Sequence, residues 1–160
     1  MAGRVGTGYD SHRLVEGERL VIGGVEIDHD RGLVGHSDAD VLTHAVIDAL
    51  LGAFALGDLG ELFPDTESDW EDADSIDLLR IVIGRLPGAV VNVDATVICE
   101  EPKLAPHKAE MASKLSGVLS APVSVKASTN EGMGAIGRGE GIACIAVAMV
   151  DTGDDFGRPR

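Results

Sequence analysis

Between Val41 and Ala53 apolar residues return every three or four positions, at Val41, Leu42, Ala45, Val46, Ala49, Leu50 and Ala53. That is the rhythm of an amphipathic helix. Possible caps at Ser37, Asp38 and Asp40 precede the run and Gly57 follows it, so the pattern predicts a helix over residues 38–56. Ile76, Leu79, Val82, Ile83 and Leu86 predict a second helix over residues 75–86, capped by Asp74 or Ser75 and ended by Pro87-Gly88. A third is predicted over residues 107–119, with Pro106 opening its first turn.

Strands are predicted where the period falls to two or the run is β-branched. Residues 4–9 form one, running into a loop at Asp10-Ser11-His12, and residues 122–128, which carry Lys126, form another. In residues 89–99, Val91, Val93, Ala95 and Val97 alternate with Asn92, Asp94 and Thr96. Residues 142–150 are apolar on both faces and so predict a central strand. Leu20, Val21 and Ile22, then Gly23-Gly24, then Val25 and Ile27 predict a hairpin or a bulged strand.

The connections differ in character. Residues 28–35 read as a polar connection, and residues 67–74 as an acidic segment expected to be mobile. Residues 57–66 hold too many breakers for regular structure and too many apolar side chains for a linker, so they should fold over something. Residues 129–140 are glycine-rich. Helices alternating with strands in 160 residues imply one α/β or α+β domain over residues 1–151, with a flexible tail at residues 152–160.

Composition narrows the function. Aromatic residues make up 3% of the chain, so the core must be aliphatic, and no apolar run approaches the roughly 18 residues of a membrane span. A net charge of -14 argues against nucleic acid or an anionic membrane as partner. An anionic small molecule would need local cationic help from a metal, an Arg or Lys, or a helix N-terminus. No secretory pattern is visible, and Cys99 and Cys144 sit in strand-like runs as buried, reduced thiols, so a cytoplasmic location is expected.

Candidate chemistry gathers around the central helix. Asp40, His44 and Asp48 stand at i, i+4 spacing, which is either a solvated polar stripe or a histidine flanked by carboxylates. In extended chain Asp10 and His12 point to one side. Together Asp10, His12 and His44 offer one carboxylate oxygen and two imidazole nitrogens, a donor set suited to zinc with a fourth position left open. Asp40 or Asp48 could orient the His44 ring. Thr129, Glu131 and Arg138 in the glycine-rich segment either wrap an anion, with Glu131 holding a harder cation such as magnesium, or belong to a tight-turned loop.

Several segments carry a family resemblance: Tyr9-Asp-Ser-His12, His36-Ser-Asp-Ala-Asp-Val41, His44, Asp48-Ala-Leu-Leu-Gly-Ala53, Gly57-Asp-Leu-Gly60, Phe63-Pro-Asp-Thr66, Pro102-Lys103 and Gly137-Arg-Gly-Glu-Gly141. In this order, over nearly the whole chain, they resemble the 2-C-methyl-D-erythritol 2,4-cyclodiphosphate synthases of the non-mevalonate isoprenoid route. The resemblance implies an α+β sandwich, a mixed sheet with helices on one face, assembled as a homotrimer with active sites between subunits. It also implies cyclisation of 4-diphosphocytidyl-2-C-methyl-D-erythritol 2-phosphate with release of CMP.

The site residues it implies are specific. Asp10, His12 and His44 would hold zinc, and Glu131 a second divalent ion, magnesium or manganese. His36 and Ser37 would contact the 2-phosphate and methylerythritol unit, and His36 and Thr129 would donate hydrogen bonds that position the phosphates. Asp58, Leu59 and Gly60 with Phe63, Pro64, Asp65, Thr66 and Glu67 would hold the sugar-alcohol portion. Cys99, Glu100, Glu101, Pro102, Lys103, Leu104 and Ala105, with Ser128, Thr129, Asn130 and Glu131 from the same neighbouring subunit, would hold the cytidine diphosphate end. Ala135 and Arg138 complete the contacts.

Three departures stand out: Ala135-Ile136 replaces an aromatic-hydroxyl pair, Glu100-Glu101 adds negative charge beside the nucleotide loop, and residues 128–130 vary a hydroxyl-rich run. Two rival readings are a zinc phosphohydrolase and a non-enzymatic module holding an isoprenoid-like diphosphate in a subunit-interface cavity lined by Arg138 and Glu140.

Overall fold

A computed structural model describes residues 3–153. In chain order the strands are β1 (Gly3–Glu16), β2 (Leu20–Ile22), β3 (Val25–Ile27), β4 (Arg31–Val34), β5 (Ala89–Ile98), β6 (Val123–Ser128) and β7 (Gly141–Asp151). The helices are α1 (Val41–Phe54), α2 (Leu59–Leu62), α3 (Ser75–Arg85), α4 (Lys108–Leu119) and α5 (Gly134–Gly137). Five strands form one sheet in the order β4-β1-β7-β5-β6, while β2 and β3 pair as a separate hairpin. The sheet is mixed: β5 and β6 run parallel, joined across α4, and the other neighbours are antiparallel.

Alternation decides which face is covered. Gly6, Gly8 and Leu14 of β1, Val93, Ala95 and Val97 of β5, and Ile142, Cys144, Ala146, Ala148 and Val150 of β7 lie buried on the helix side, where α1 packs across all three strands. Among the described residues the opposite face is the more open one. Val5 and Tyr9 there are 62% and 61% exposed, and Ile145 and Val147 are exposed beside them. The fold is thus the expected α+β sandwich with helices on one face.

Several elements depart from the sequence reading. β1 does not stop at Tyr9: it pairs with β7 from Gly3↔Asp151 to Arg13↔Gly141, so Asp10, Ser11 and His12 lie within a strand. Residues 28–35 contain β4, which the extended β1 recruits as an edge partner. Segment 67–74 is tied down, because Asp72 donates its backbone N–H to His36 O (3.0 Å) and Asp38 donates its own to Ala73 O (3.1 Å). Thr152 is buried, and residues 154–160 of the expected tail lie outside the described residues.

α1 is shorter than predicted because Asp40 caps it at one end and Ala55 turns left-handed (φ 57°) at the other, its N–H donating to Gly52 O. Every residue of α1 except Asp48 and Gly52 is buried. A solvated polar stripe is therefore excluded: Asp40 is 0% and His44 5% exposed. Sheet on one side and β2, α2 and α3 on the others leave the helix little solvent to face.

Candidate metal centre

Two glycines bring the helix onto the strand. A Cβ on Gly8 would lie 1.9 Å from the Ala45 carbonyl oxygen, and one on Gly6 would lie 2.0 Å from that of Ala49. Only side-chain-free positions allow that approach, which sets His44 over Asp10 and His12 on the same face of β1. Gly35 makes room in the same way, since a Cβ there would lie 2.9 Å from His12 Cε1.

The three donors converge. Asp10 Oδ2 lies 2.8 Å from His12 Nε2 and 3.1 Å from His44 Nδ1, and the two nitrogens are 3.2 Å apart. His12 donates Nδ1–H to Val34 O (3.0 Å), so its Nε2 turns a lone pair inward. Donor atoms this close repel one another unless a proton or a metal cation lies between them. The separations approach the ~3.3 Å edge of a tetrahedron built on ~2.0 Å bonds, so the residues fit a divalent metal. Burial opposes ionisation of Asp10, but where the imidazoles of the cluster carry protons in place of a metal, hydrogen bonds and charge from His12 and His44 outweigh it and hold the carboxyl far below its ordinary range.

Neither helix carboxylate orients His44, contrary to the sequence reading. Asp40 accepts from Gly23 N (2.8 Å), Gly24 N (2.7 Å), Thr43 N (3.0 Å) and Thr43 Oγ1 (2.7 Å), clamping the β2–β3 hairpin to α1. Burial pushes its carboxyl up and these donors pull it back, with a net rise. Asp48 accepts from Leu59 N (2.8 Å) and so places α2. His44 Nε2 instead meets Ser75 Oγ (2.8 Å) and Ser37 Oγ (3.0 Å).

The cluster forms one wall of a cavity of about 390 Å³ lined also by His36, Ser37, Leu59, Gly60, Phe63, Pro64, Asp65 and Thr66. Residues 57–66 thus fold over the cluster, as their composition suggested, but they are not without regular structure: Asp58 caps the single turn of α2 (Leu59–Leu62) despite the glycines around it. Glu67 joins through its carbonyl, which accepts from His36 Nε2 (3.1 Å), and Asp58 caps α2 by accepting from Glu61 N (2.9 Å). Trp70 and Leu78 also line this cavity and were missed. Trp70 packs edge-on against Phe63 with ring centroids 4.9 Å apart, a pairing that sequence spacing does not announce.

The remaining candidates gather elsewhere. Cys99, Pro102, Lys103, Leu104, Ala105, Ser128 and Thr129 line a second cavity of about 180 Å³, with Lys108 and Ala127 as members that were not foreseen. Glu100 Oε1 accepts from Asn130 N (2.6 Å), so this acidic departure joins the two loops of the pocket. Lys103 lies 3.6 Å from the Glu101 carboxylate. Glu131 takes φ 52°, unusual for a residue with a Cβ, and accepts from Thr129 Oγ1 (3.2 Å). Ala135 sits in α5, and Arg138 pairs with Glu140 at 2.7 Å. Strands β7 and β5 separate β1 from β6, so the two cavities lie toward opposite edges of one sheet.

The model of the YgbB family matches residues 3–151. The chain belongs to the YgbB family. Among relatives, the 2-C-methyl-D-erythritol 2,4-cyclodiphosphate synthase of Salinibacter ruber is 58% identical, over 93% of this chain and 99% of its own. That of Syntrophomonas wolfei is 56% identical, over 92% and 98%. A solved structure of 2C-methyl-D-erythritol-2,4-cyclodiphosphate synthase in its CDP-bound form superposes with a TM-score of 0.84 at 34% identity, covering 92% of this chain and 100% of that one.

The burial of both cysteines in this YgbB-family chain follows expectation. Cys99 and Cys144 are buried and unpaired. Burial, with the charges of Glu101 and Glu100, pushes the Cys99 thiol up to about 12, and burial raises Cys144 as well. Among the described residues no helix is long and apolar enough to cross a membrane.

Proposed function

We propose that this chain is a phosphorus-oxygen lyase that cyclises 4-diphosphocytidyl-2-C-methyl-D-erythritol 2-phosphate to 2-C-methyl-D-erythritol 2,4-cyclodiphosphate and releases CMP. The observation that carries the reading is the convergence of Asp10, His12 and His44 beneath a pocket walled by residues 59–66, in a chain of this family. The nucleophile is a phosphate oxygen already anionic at neutral pH and the leaving group is a nucleotide phosphate, so proton transfer is not the barrier. Charge repulsion and geometry are.

A divalent metal held by Asp10, His12 and His44, zinc by the character of the donors, supplies positive charge against the substrate's phosphate oxygens. The chain's own groups then divide the work. Ser37 and His36 bind the 2-phosphate and methylerythritol end, and residues 58–67 wrap the sugar alcohol. Thr129 donates a hydrogen bond that aligns the diphosphate for attack on its β-phosphorus. Residues 99–105 with 128–131 hold the cytidine end. Glu131 would hold a second divalent ion, magnesium or manganese, which would supply further positive charge to the diphosphate end.

Because the two pockets lie toward opposite edges of one sheet, a whole site is completed by a neighbouring subunit. A homotrimer meets that need, and the uncovered face bearing Val5, Tyr9, Ile145 and Val147 supplies apolar surface for its contacts. Ala135 and Arg138 complete the substrate contacts from the glycine-rich segment. Two reduced thiols suit the cytoplasm, and the charge of -14 suits a small-molecule substrate rather than nucleic acid or membrane.

A phosphohydrolase would need a base free to take a proton beside the cluster. Asp40 and Asp48, the other carboxylates of α1 and its cap, are engaged by backbone donors. Incubation with the cytidyl substrate and magnesium is expected to yield CMP and a cyclic diphosphate resolved by phosphorus NMR. A linear diphosphate would establish hydrolysis, and ligand retained without CMP would establish a binding module. Glu131→Gln is expected to raise the half-saturating magnesium roughly tenfold, the scale of one lost charged contact of ~1.4 kcal/mol. An unchanged magnesium titration would remove Glu131 from that role.

A further inference from the structure

We infer that Ser75 and Asp38 are positioning residues, which fix the proton and the ring plane of His44 so that its Nδ1 lone pair faces Asp10 and His12. The number of available protons fixes the direction of each hydrogen bond. Asp38 is a carboxylate, able only to accept, and its Oδ1 accepts from Ser75 Oγ while its Oδ2 accepts from Ser75 N (3.0 Å). The single hydroxyl proton of Ser75 is therefore directed at Asp38. What remains on Ser75 Oγ, 2.8 Å from His44 Nε2, is lone pairs. They require a donor, so Nε2 carries the hydrogen of the neutral ring and Nδ1 is left bare.

The surroundings hold this chain of hydrogen bonds still. Ser75 is 0% exposed, so no bulk water competes for its hydroxyl. Its backbone is the first residue of α3, whose cap Asp74 accepts from Ile76 N (2.8 Å). Asp38 is fixed in turn, its N–H donating to Ala73 O (3.1 Å) and its Oδ1 accepting from Asp40 N (3.2 Å). Docking of α3 against α1 thus reaches the metal ligand through two side chains that touch neither the metal donors' lone pairs nor the open cavity. A second consequence concerns Ser37, whose Oγ lies 3.0 Å from the same Nε2 and lines the cavity. With the Nε2 hydrogen already accepted by Ser75, the Ser37 hydroxyl keeps its own proton for a substrate oxygen.

The inference rests on the reading of Asp10, His12 and His44 as metal ligands, and the test separates the two. Nitrogen-15 spectra of wild-type apoprotein at alkaline pH, where imidazole is neutral, are expected to show His44 protonated at Nε2. Zinc affinity is measured by competition with a chromophoric chelator. Ser75→Ala and Asp38→Asn are each expected to weaken zinc binding about 10- to 100-fold and to give an Nδ1-protonated population of His44, with cooperative thermal unfolding retained. A purely structural role would lower the melting temperature and leave the tautomer as it was.

Wild-type His44 protonated at Nδ1 would overturn the inference, as would wild-type zinc affinity and tautomer in either folded variant. Should Ser75→Ala fail to fold, the wild-type spectrum and Asp38→Asn still decide. Failure of the metal reading shows separately, as zinc affinity unchanged in His44→Ala.

Discussion

Replacing His44 with alanine is expected to abolish stoichiometric zinc binding and to lower kcat/KM at least ~10³-fold, the scale on which loss of an electrostatic stabiliser at a transferring group acts. Two donors, Asp10 and His12, would remain, both on one strand and two residues apart. They hold one side of a tetrahedral ion and leave the other to water. The fold should survive. Alanine is the best helix former, Ser75 keeps its hydrogen bond to Asp38, and the lost ring opens onto a cavity that water can fill. Metal content after dialysis and CMP release together check the result. Wild-type turnover by zinc-free variant protein would remove His44 from the ligand set.

A larger structural effect is expected from Gly8→Val. The new Cβ would stand 1.9 Å from the Ala45 carbonyl oxygen and 2.7 Å from the Ala49 nitrogen, and both belong to helix backbone that cannot swing aside. Either α1 lifts from β1 or the two separate entirely, at a cost of ~3 kcal/mol or more out of a typical 5–15. We expect an insoluble or non-cooperatively unfolding product. Any variant that does fold should lose zinc, since the displacement moves His44 away from Asp10. Gly117 in α4 is the contrast: nothing lies within 4 Å of its Cβ position, so Gly117→Ala should raise stability by about 0.5–1 kcal/mol. Thermal unfolding followed by circular dichroism distinguishes the two, and a fully stable Gly8→Val protein would refute the close-packing account.

Much of the site was legible because its residues carry chemistry in their identity. Asp10-Ser-His12 needed only an extended chain to put both donors on one side, and β1 supplies it. Asp40 misled for a physical reason. At i−4 from His44 a mid-helix carboxylate would sit beside the ring, but Asp40 caps α1 and turns its oxygens to Gly23, Gly24 and Thr43. Gly6 and Gly8 left a readable sign, two glycines spaced to share a strand face, that passed unread. Trp70, Leu78 and Lys108 left none, since what brings each to a cavity is the folding of distant segments onto one another.

The sequence by itself determined the three long helices, the long strands and their order, the aliphatic core and the donor set, because periodicity and residue chemistry are local properties that any fold must respect; the short β4, α2 and α5 carry too few residues to show a period. Tertiary structure alone decided that β1 extends through Asp10 and His12, that β4 joins as an edge, that α1 is buried on nearly every side, and that Ser75 rather than an aspartate meets His44. Each depends on a partner far along the chain. Strand length is set by what pairs with it, burial by what covers it, and a hydrogen bond between residues 44 and 75 by the docking of α3 on α1.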